Sequence, residues 1–154
     1  MTDRPRVLVV GAGAAGMMAA IAAAQTLQAA GEPDGGVLLL ERGARPCRKL
    51  RITGKGRCNV TNDCDREEFL RHVLTNPRFL YSALSGFDTQ DTRTFFEGCG
   101  VALKVERGRR VFPVSDRAGD IVDALVRTCR AAGVRNQTGL VTGLALVEGD
   151  ESAP

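Results

Sequence analysis

The chain has 154 residues, 44% apolar and 25% charged, which is enough polypeptide for one domain with a real core and excludes a disordered chain. No stretch reaches the roughly 18 unbroken apolar residues of a membrane span, and the five cysteines contain no CxxC pair, so no zinc site or fully paired disulfide framework is expected and reduced thiols fit a cytoplasmic protein. The formal charge of +3 is unevenly spread, because Arg42, Arg45, Arg48, Lys49, Arg51, Lys55 and Arg57 follow one another with no acid between them.

In chain order, Arg6 to Val10 (RVLVV) is a β-branched run that stops at glycine, as a buried parallel strand does. The preceding Arg4 and Arg6 and the apolar stretch ending in Ala22-Ala23-Ala24 have the outline of a secretory signal, but Gly11, Gly13 and Gly16 interrupt it. GAGAAG, residues 11–16, leads into the charge-free MMAAIAAAQTLQAA, a helix apolar nearly all round and therefore expected to be buried. After the turn cluster Gly31 to Gly36, Val37 to Leu40 forms a second buried strand that ends in Glu41. Strand, glycine turn, helix and strand make a βαβ unit in which Gly11 makes the tight turn, Gly13 leaves room for a pyrophosphate and Gly16 lets helix and strand pack closely. The helix N-terminus would face the phosphates, and Glu41 would accept hydrogen bonds from the adenosine ribose. An adenine dinucleotide is the expected ligand. NAD and FAD share that half, and Arg42 beside Glu41 hints at a 2′-phosphate that the acid would repel.

The basic run then meets ITGKGRCNVTN, residues 52–62, where two glycines flank a lysine. Such a loop suits close approach of backbone to a ligand. A second glycine-rich cationic segment is awkward in a simple NAD dehydrogenase but suits the longer FAD, with Arg57 as countercharge to the phosphates or to an anionic reduced flavin. A cationic run can also be a solvated face or a nucleic-acid patch. With no aromatic residue inside it for stacking, no nucleic-acid partner is expected. Cys58 beside Arg57 is read as a small packing residue, the alternative being a thiol of lowered pKa.

Farther on, Asp65 to Leu74 reads as a helix with an acidic start, followed by helices over Pro77 to Leu84 and Thr89 to Cys99. Leu103 to Glu106 and Arg109 to Phe112 flank Arg107-Gly108 as a β-hairpin. Ser115 would cap a helix over Asp116 to Ala132, with Gly133 as its stop. Val134 onward should form another strand, although Arg135-Asn136-Gln137 is poorly patterned for one, and Leu140 to Val147 is the better strand. His72, the single histidine, reads as an exposed helix residue. Asp116, Asp120 and Asp123 suit a helix N-terminus, and no metal site is expected.

GAGAAGMMAAIAAA, LLLERGARPCRKLRITGKGRCNVTN, NPRFLYSALSGFDTQDTRTFFEGCGVALKVERGRRVFPVSD and DIVDALVR together resemble the N-terminal half of the YhiN/BaiN-like FAD-dependent oxidoreductases, also called the aminoacetone oxidase family. The resemblance implies a flavoprotein with an α/β, Rossmann-like FAD/NAD(P)-binding fold around a parallel central sheet, with a helical and β-hairpin insertion. Residues 1–62 would carry the dinucleotide and flavin loops, 63–100 a helical segment, 101–114 the hairpin, and 115–147 a helix and strand returning to the sheet. Family members are longer, so the chain reads as their N-terminal portion without the inserted substrate-facing domain. By position, Ala14, Ala15 and Gly16 would lie at the FAD diphosphate and Glu41 at the ribose. Lys49, Thr53, Gly54, Arg57, Cys58 and Asn59 would line the flavin and phosphate side, and Val141 would approach the adenine. Ala12 stands where relatives often have glycine, a harmless change if its φ is negative. The implied activity is flavin-mediated hydride transfer to or from a small organic substrate, with NAD(P)H the candidate electron donor; one member reduces carbon–carbon double bonds of 3-oxo bile acids. No catalytic residue is assigned. The other readings are an NAD(P)-binding dehydrogenase domain and a non-catalytic remnant whose apolar surfaces await a partner chain.

Overall fold

A computed structural model describes residues 4–32 and 36–145 of the chain. In chain order the elements are β1 (Val7–Val10), α1 (Ala14–Ala29), β2 (Val37–Glu41), α2 (Arg48–Ile52), β3 (Thr61–Asn62), α3 (Arg66–Arg71), α4 (Tyr81–Gly86), α5 (Thr89–Gly98), β4 (Leu103–Glu106), β5 (Arg110–Pro113), α6 (Ala118–Ala131) and β6 (Arg135–Thr138), with 3₁₀ turns at Thr53–Gly56 and Pro77–Leu80. They form the expected Rossmann arrangement: a parallel sheet of order β1-β2-β6, and a separate antiparallel sheet of order β3-β5-β4.

The parallel register puts Val7 beside Val37 and Leu38 beside Arg135, so strands far apart in sequence share one sheet. Helix α1 buries Met17, Ala20, Ile21 and Ala24, and α6, which contacts it, buries Ile121, Val122, Ala124, Leu125 and Cys129. Val37 and Leu39 of β2 complete this core. Each Val, Leu, Ile or Met side chain so taken from water contributes about 1.5–3 kcal/mol before entropy is subtracted. The opposite side of the sheet is different: Leu8 is 47% and Val10 58% exposed, and the outer edge of β1 has no strand partner among the described residues.

Four expectations change. Helix α1 is not buried all round, since Ala19 and Ala22 are exposed; small alanines tolerate both sides, so their composition did not reveal which face packs. The strand expected from Val134 onward forms as β6, Arg135–Thr138, but the one expected over Leu140 to Val147 is not found among the described residues. An edge strand needs only backbone pairing with β2, and its polar side chains are mostly exposed. Residues 140–145 have no regular structure, with Leu144 90% exposed, while the end of the expected strand lies outside the described residues. Ser115 does not cap α6; Arg117 holds the cap position, and the Ser115 hydroxyl instead accepts from the Arg117 amide at 3.3 Å. Helix α3 is also shorter than expected, although its cap is clear: the Asp65 carboxylate accepts from the Glu68 amide at 2.7 Å.

Close packing of α1 on β1 requires Gly16, because a Cβ there would lie 1.9 Å from the carbonyl oxygen of Gly11. Gly16→Ala should therefore destabilise the fold by about 3 kcal/mol or more, read as a lowered urea midpoint. An unchanged midpoint would show that the turn relaxes freely.

Candidate functional site

A cleft of about 1120 Å³ opens where the two halves of the fold meet. Its first wall is the turn between β1 and α1. Gly11 has φ +97°, a left-handed value that a side chain disfavours, and its amide donates to Leu40 O at 2.7 Å. Gly13 has an ordinary extended backbone, yet a Cβ there would meet nothing within 4 Å. The space beside it is open. No side chain caps α1 and no acid lies in its first turn, so the amides of Ala14 and Ala15 and the positive end of the helix dipole face the cleft.

Glu41 closes this wall. Its carboxylate accepts from the Ala12 amide and from the Gly43 amide, each at 2.8 Å. These two bonds, Gly43 first, hold its carboxyl below the usual glutamate range, with Arg42 adding to the effect and partial burial opposing it. One lone pair on each oxygen stays available to a further donor. Ala12 also accepts from the Cys47 amide at 2.8 Å and takes no left-handed backbone, so alanine is tolerated there.

The second wall is the basic loop. Arg42, Arg45, Arg48, Lys49, Thr53, Cys58 and Asn59 line the cleft. Cys47 and Cys58 are both buried with left-handed backbones, at φ +56° and +63°. Burial pushes both thiols up; Arg51 opposes this at Cys47 and Thr53 at Cys58. Cys58 therefore remains a neutral thiol despite its basic neighbour, which supports packing over a reactive thiolate.

Arg57 lies against the hairpin. Its Nη1 donates to Glu106 at 2.8 Å and to Asp116 at 3.2 Å, and its guanidinium carbon lies 4.2 Å from the centroid of the Phe112 ring. Its charge is shared with two carboxylates, and it is not among the residues that line the cleft. Gly54 packs on the same ring, since a Cβ would come within 2.8 Å of Phe112, and the Val60 amide donates to Val111 O at 2.8 Å. The ITGKGRCN loop and the RVFP strand are thus interlocked. Gly11, Gly16, Gly54 and Val141 also fall outside the cleft lining: the first three shape it from behind, and Val141 lies in the irregular segment after β6.

Sequence reasoning missed Phe87, Ile121 and Leu125, which reach the cleft from distant segments. No local signal marks them. Arg45 and Arg48 were visible as part of the basic run. Asp116, read as a helix N-terminal acid, pairs with Arg57 and Lys104 instead.

A family profile described as the HI0933-like protein Rossmann domain matches residues 5–148. Among curated proteins, the chain is 33% identical over 135 residues to the 3-dehydro-bile acid delta(4,6)-reductase of Clostridium scindens, covering 88% of this chain and 31% of that protein. It is 36% identical over 132 residues to the ribosomal RNA dihydrouridine synthase of Escherichia coli, covering 86% of this chain and 30% of that one. The chain therefore spans about a third of the length of these relatives. Solved structures with the same fold include Thermovibrio ammonificans THI4 (TM-score 0.54, 15% identity, 89% of this chain and 39% of that one). A second is the 3-ketosteroid-delta4-(5alpha)-dehydrogenase of Rhodococcus jostii RHA1 in complex with 4-androstene-3,17-dione (TM-score 0.57, 18% identity, 88% and 38%).

Because the Glu41 carboxyl is depressed in the folded chain, its stabilising share is present above the unfolded value of about 4.3. It is lost as pH falls through the lower folded value. Glu41→Gln should flatten this part of the stability–pH curve below about pH 4.5, measured by urea unfolding at several pH values. A curve parallel to wild type would contradict the bridging role.

Proposed function

The chain belongs to the HI0933-like Rossmann family, and on that premise we propose that it is the FAD-binding portion of a flavin-dependent oxidoreductase acting on a carbon–carbon double bond conjugated to a carbonyl. The observation that carries this reading is the pairing of an open, uncapped helix N-terminus at Gly13 with a cationic wall across one cleft. A diphosphate fits the first wall, because unpaired amides and the helix dipole favour an anion where no Cβ intrudes. Glu41 suits ribose hydroxyls through its remaining lone pairs, and its negative charge disfavours a 2′-phosphate.

The same cleft is also lined by Thr53, Cys58, Asn59 and Phe87, which suits a ligand that extends beyond its adenosine half. When bound there, FAD supplies hydride transfer. The chain's own residues bind and orient. Amides at Ala14 and Ala15 hold the diphosphate, while Lys49 and Arg48 offer positive charge on the opposite wall. Asn59, with its amide nitrogen toward the hairpin, donates to Thr61 O at 3.0 Å and Val111 O at 3.3 Å, leaving its carbonyl oxygen as an acceptor. The neutral, buried Cys58 excludes water beside it. NAD(P)H is the proposed electron donor.

The chemistry follows from what the two curated relatives share. One is named as a reductase of delta(4,6) double bonds and the other as forming dihydrouridine, which carries two more hydrogens than uridine. Both names describe saturation of a C=C bond next to a carbonyl.

Titration of the chain with FAD, followed by flavin fluorescence, should give saturable binding that Gly13→Ala weakens at least about tenfold, equivalent to 1.4 kcal/mol, with no change in urea midpoint. Binding of NADH or NADPH but not FAD would replace the flavin reading with a nicotinamide one. Undiminished FAD binding by Gly13→Ala would remove the diphosphate from this turn.

A further inference from the structure

The segment from Arg42 to Lys55 holds six of the chain's 21 cations and none of its 18 acids, so the remainder of the chain carries more acid than base. None of the six forms an ion pair among the described residues, although the Arg42 charge helps to hold Glu41 ionised. Elsewhere Arg6, Arg57, Arg93, Lys104, Arg109 and Arg117 are paired. Like charges gathered without counterions are unfavourable, and an anionic surface brought against them relieves the repulsion.

Ile52 sits amid this charge and is 74% exposed. It ends α2, and the next four residues form the 3₁₀ turn Thr53–Gly56, in which Gly54 and Lys55 have left-handed backbones. The turn is closed at its base, since the Cys58 amide donates to Thr53 O at 3.1 Å and the Thr53 hydroxyl donates to Leu50 O at 2.8 Å. Gly54 is held from behind by the Phe112 ring. Ile52 at the cleft rim and Lys55 outside it therefore stand exposed on a fixed loop, while Thr53 and Cys58, on either side of Lys55 in sequence, line the cleft. An aliphatic side chain left in water forgoes the free energy that its burial would gain.

The flavin reading accounts for part of this charge. A dinucleotide diphosphate brings about two negative charges, and the α1 amides already serve it. Arg51 and Lys55 lie outside the cleft lining, beyond the reach of a ligand held within it. An apolar centre ringed by cations has the form of a protein contact, in which complementary charge steers the approach and the centre is desolvated. Nucleic acid would use the cations but leave Ile52 without a role, and the run holds no aromatic ring to stack a base. The position beside Thr53 and Cys58, on the flavin side of the cleft, selects the kind of protein. Electron transfer falls off steeply with distance, so a donor has to dock near the flavin, and small, charge-steered contacts suit a carrier that must also leave.

We propose that the Arg42–Lys55 surface docks a small acidic one-electron carrier protein of the flavodoxin or ferredoxin class, with Ile52 as the apolar contact and Lys55 and its neighbours as the charged ring. This rests on the flavin reading and adds a donor beside NAD(P)H. Two reduced carriers in turn each lose one electron, and with two protons from water these electrons convert one bound FAD to FADH₂. A hydride and a proton then pass to the C=C bond, which restores FAD.

The test titrates a fluorescein-labelled flavodoxin and, separately, a labelled plant-type ferredoxin with the full chain, with and without FAD, at about 50 and 200 mM salt, expecting for at least one carrier a loss of affinity of about fivefold or more at the higher salt. Lys55→Glu should weaken docking about fivefold and flatten its salt dependence, while FAD affinity stays within about twofold of wild type. Ile52→Ser should weaken docking about threefold and leave the salt dependence unchanged. Without oxygen, the reduced carrier should bleach the flavin absorbance of the FAD-loaded chain, and do so more slowly with Lys55→Glu. Failure of both carriers to dock, docking that leaves bound FAD oxidised, or docking that neither variant alters would each overturn the proposal. An oligouridylate that binds as tightly as the carriers and ignores Ile52→Ser would give the surface to nucleic acid and overturn it as well. Loss of FAD binding with docking intact sinks the flavin reading alone; FAD binding without docking sinks only the carrier proposal.

Discussion

The backbone of Ala12 is the point on which the site turns. Its amide donates to the Glu41 carboxylate and its carbonyl accepts from the Cys47 amide, so the glycine turn, the end of β2 and the start of the basic loop meet at one buried residue. A charge-assisted bond is about twice as strong as a neutral one, and here one carboxylate ties two loops. The open space at Gly13 exists because this joint keeps the turn in place. The left-handed backbone of Cys47 follows from the same joint, since its amide must reach Ala12 while the chain turns into α2.

The other half of the cleft is held by a different device. Surface ion pairs contribute little when isolated, yet Arg57 joins Glu106 and Asp116 while lying over Phe112, and Lys104 meets the same two acids. The network works as a geometric fastening. It sets the loop that displays Cys58 and Asn59 against a hairpin that comes nearly fifty residues later in sequence. Two segments dense in glycine and arginine thus make sense as one interlocking piece.

Much of this was legible from the chain. The βαβ unit announces itself because a β-branched run, glycine spacing and terminal acid are all local features, and the hairpin did so because Arg107-Gly108 breaks two apolar runs. The features that were hard to read share a cause. Strand β6 is polar because an edge strand is selected by backbone pairing, which leaves no apolar signature at Arg135–Thr138. The pairing of Arg57 with Glu106 and Asp116 was hidden because those partners lie far along the sequence. Phe87 and Ile121 reach the cleft only through tertiary packing, which no local pattern encodes.

The parallel sheet also dictates an order of events during synthesis. Strand β6 pairs with β2 across nearly a hundred residues, with the whole helical and hairpin segment between them. Nonlocal parallel pairing is slow because the intervening chain must close before any contact rewards it. The β1-α1-β2 unit therefore leaves the ribosome well before β6 does and waits with one edge of β2 unpaired. During that interval the cationic loop after Glu41 is already made, while the α6 surface that will back the cleft does not yet exist. A nascent chain in this state presents basic residues and an open strand edge together, and its passage to the native state depends on how promptly the region after Pro113 is delivered.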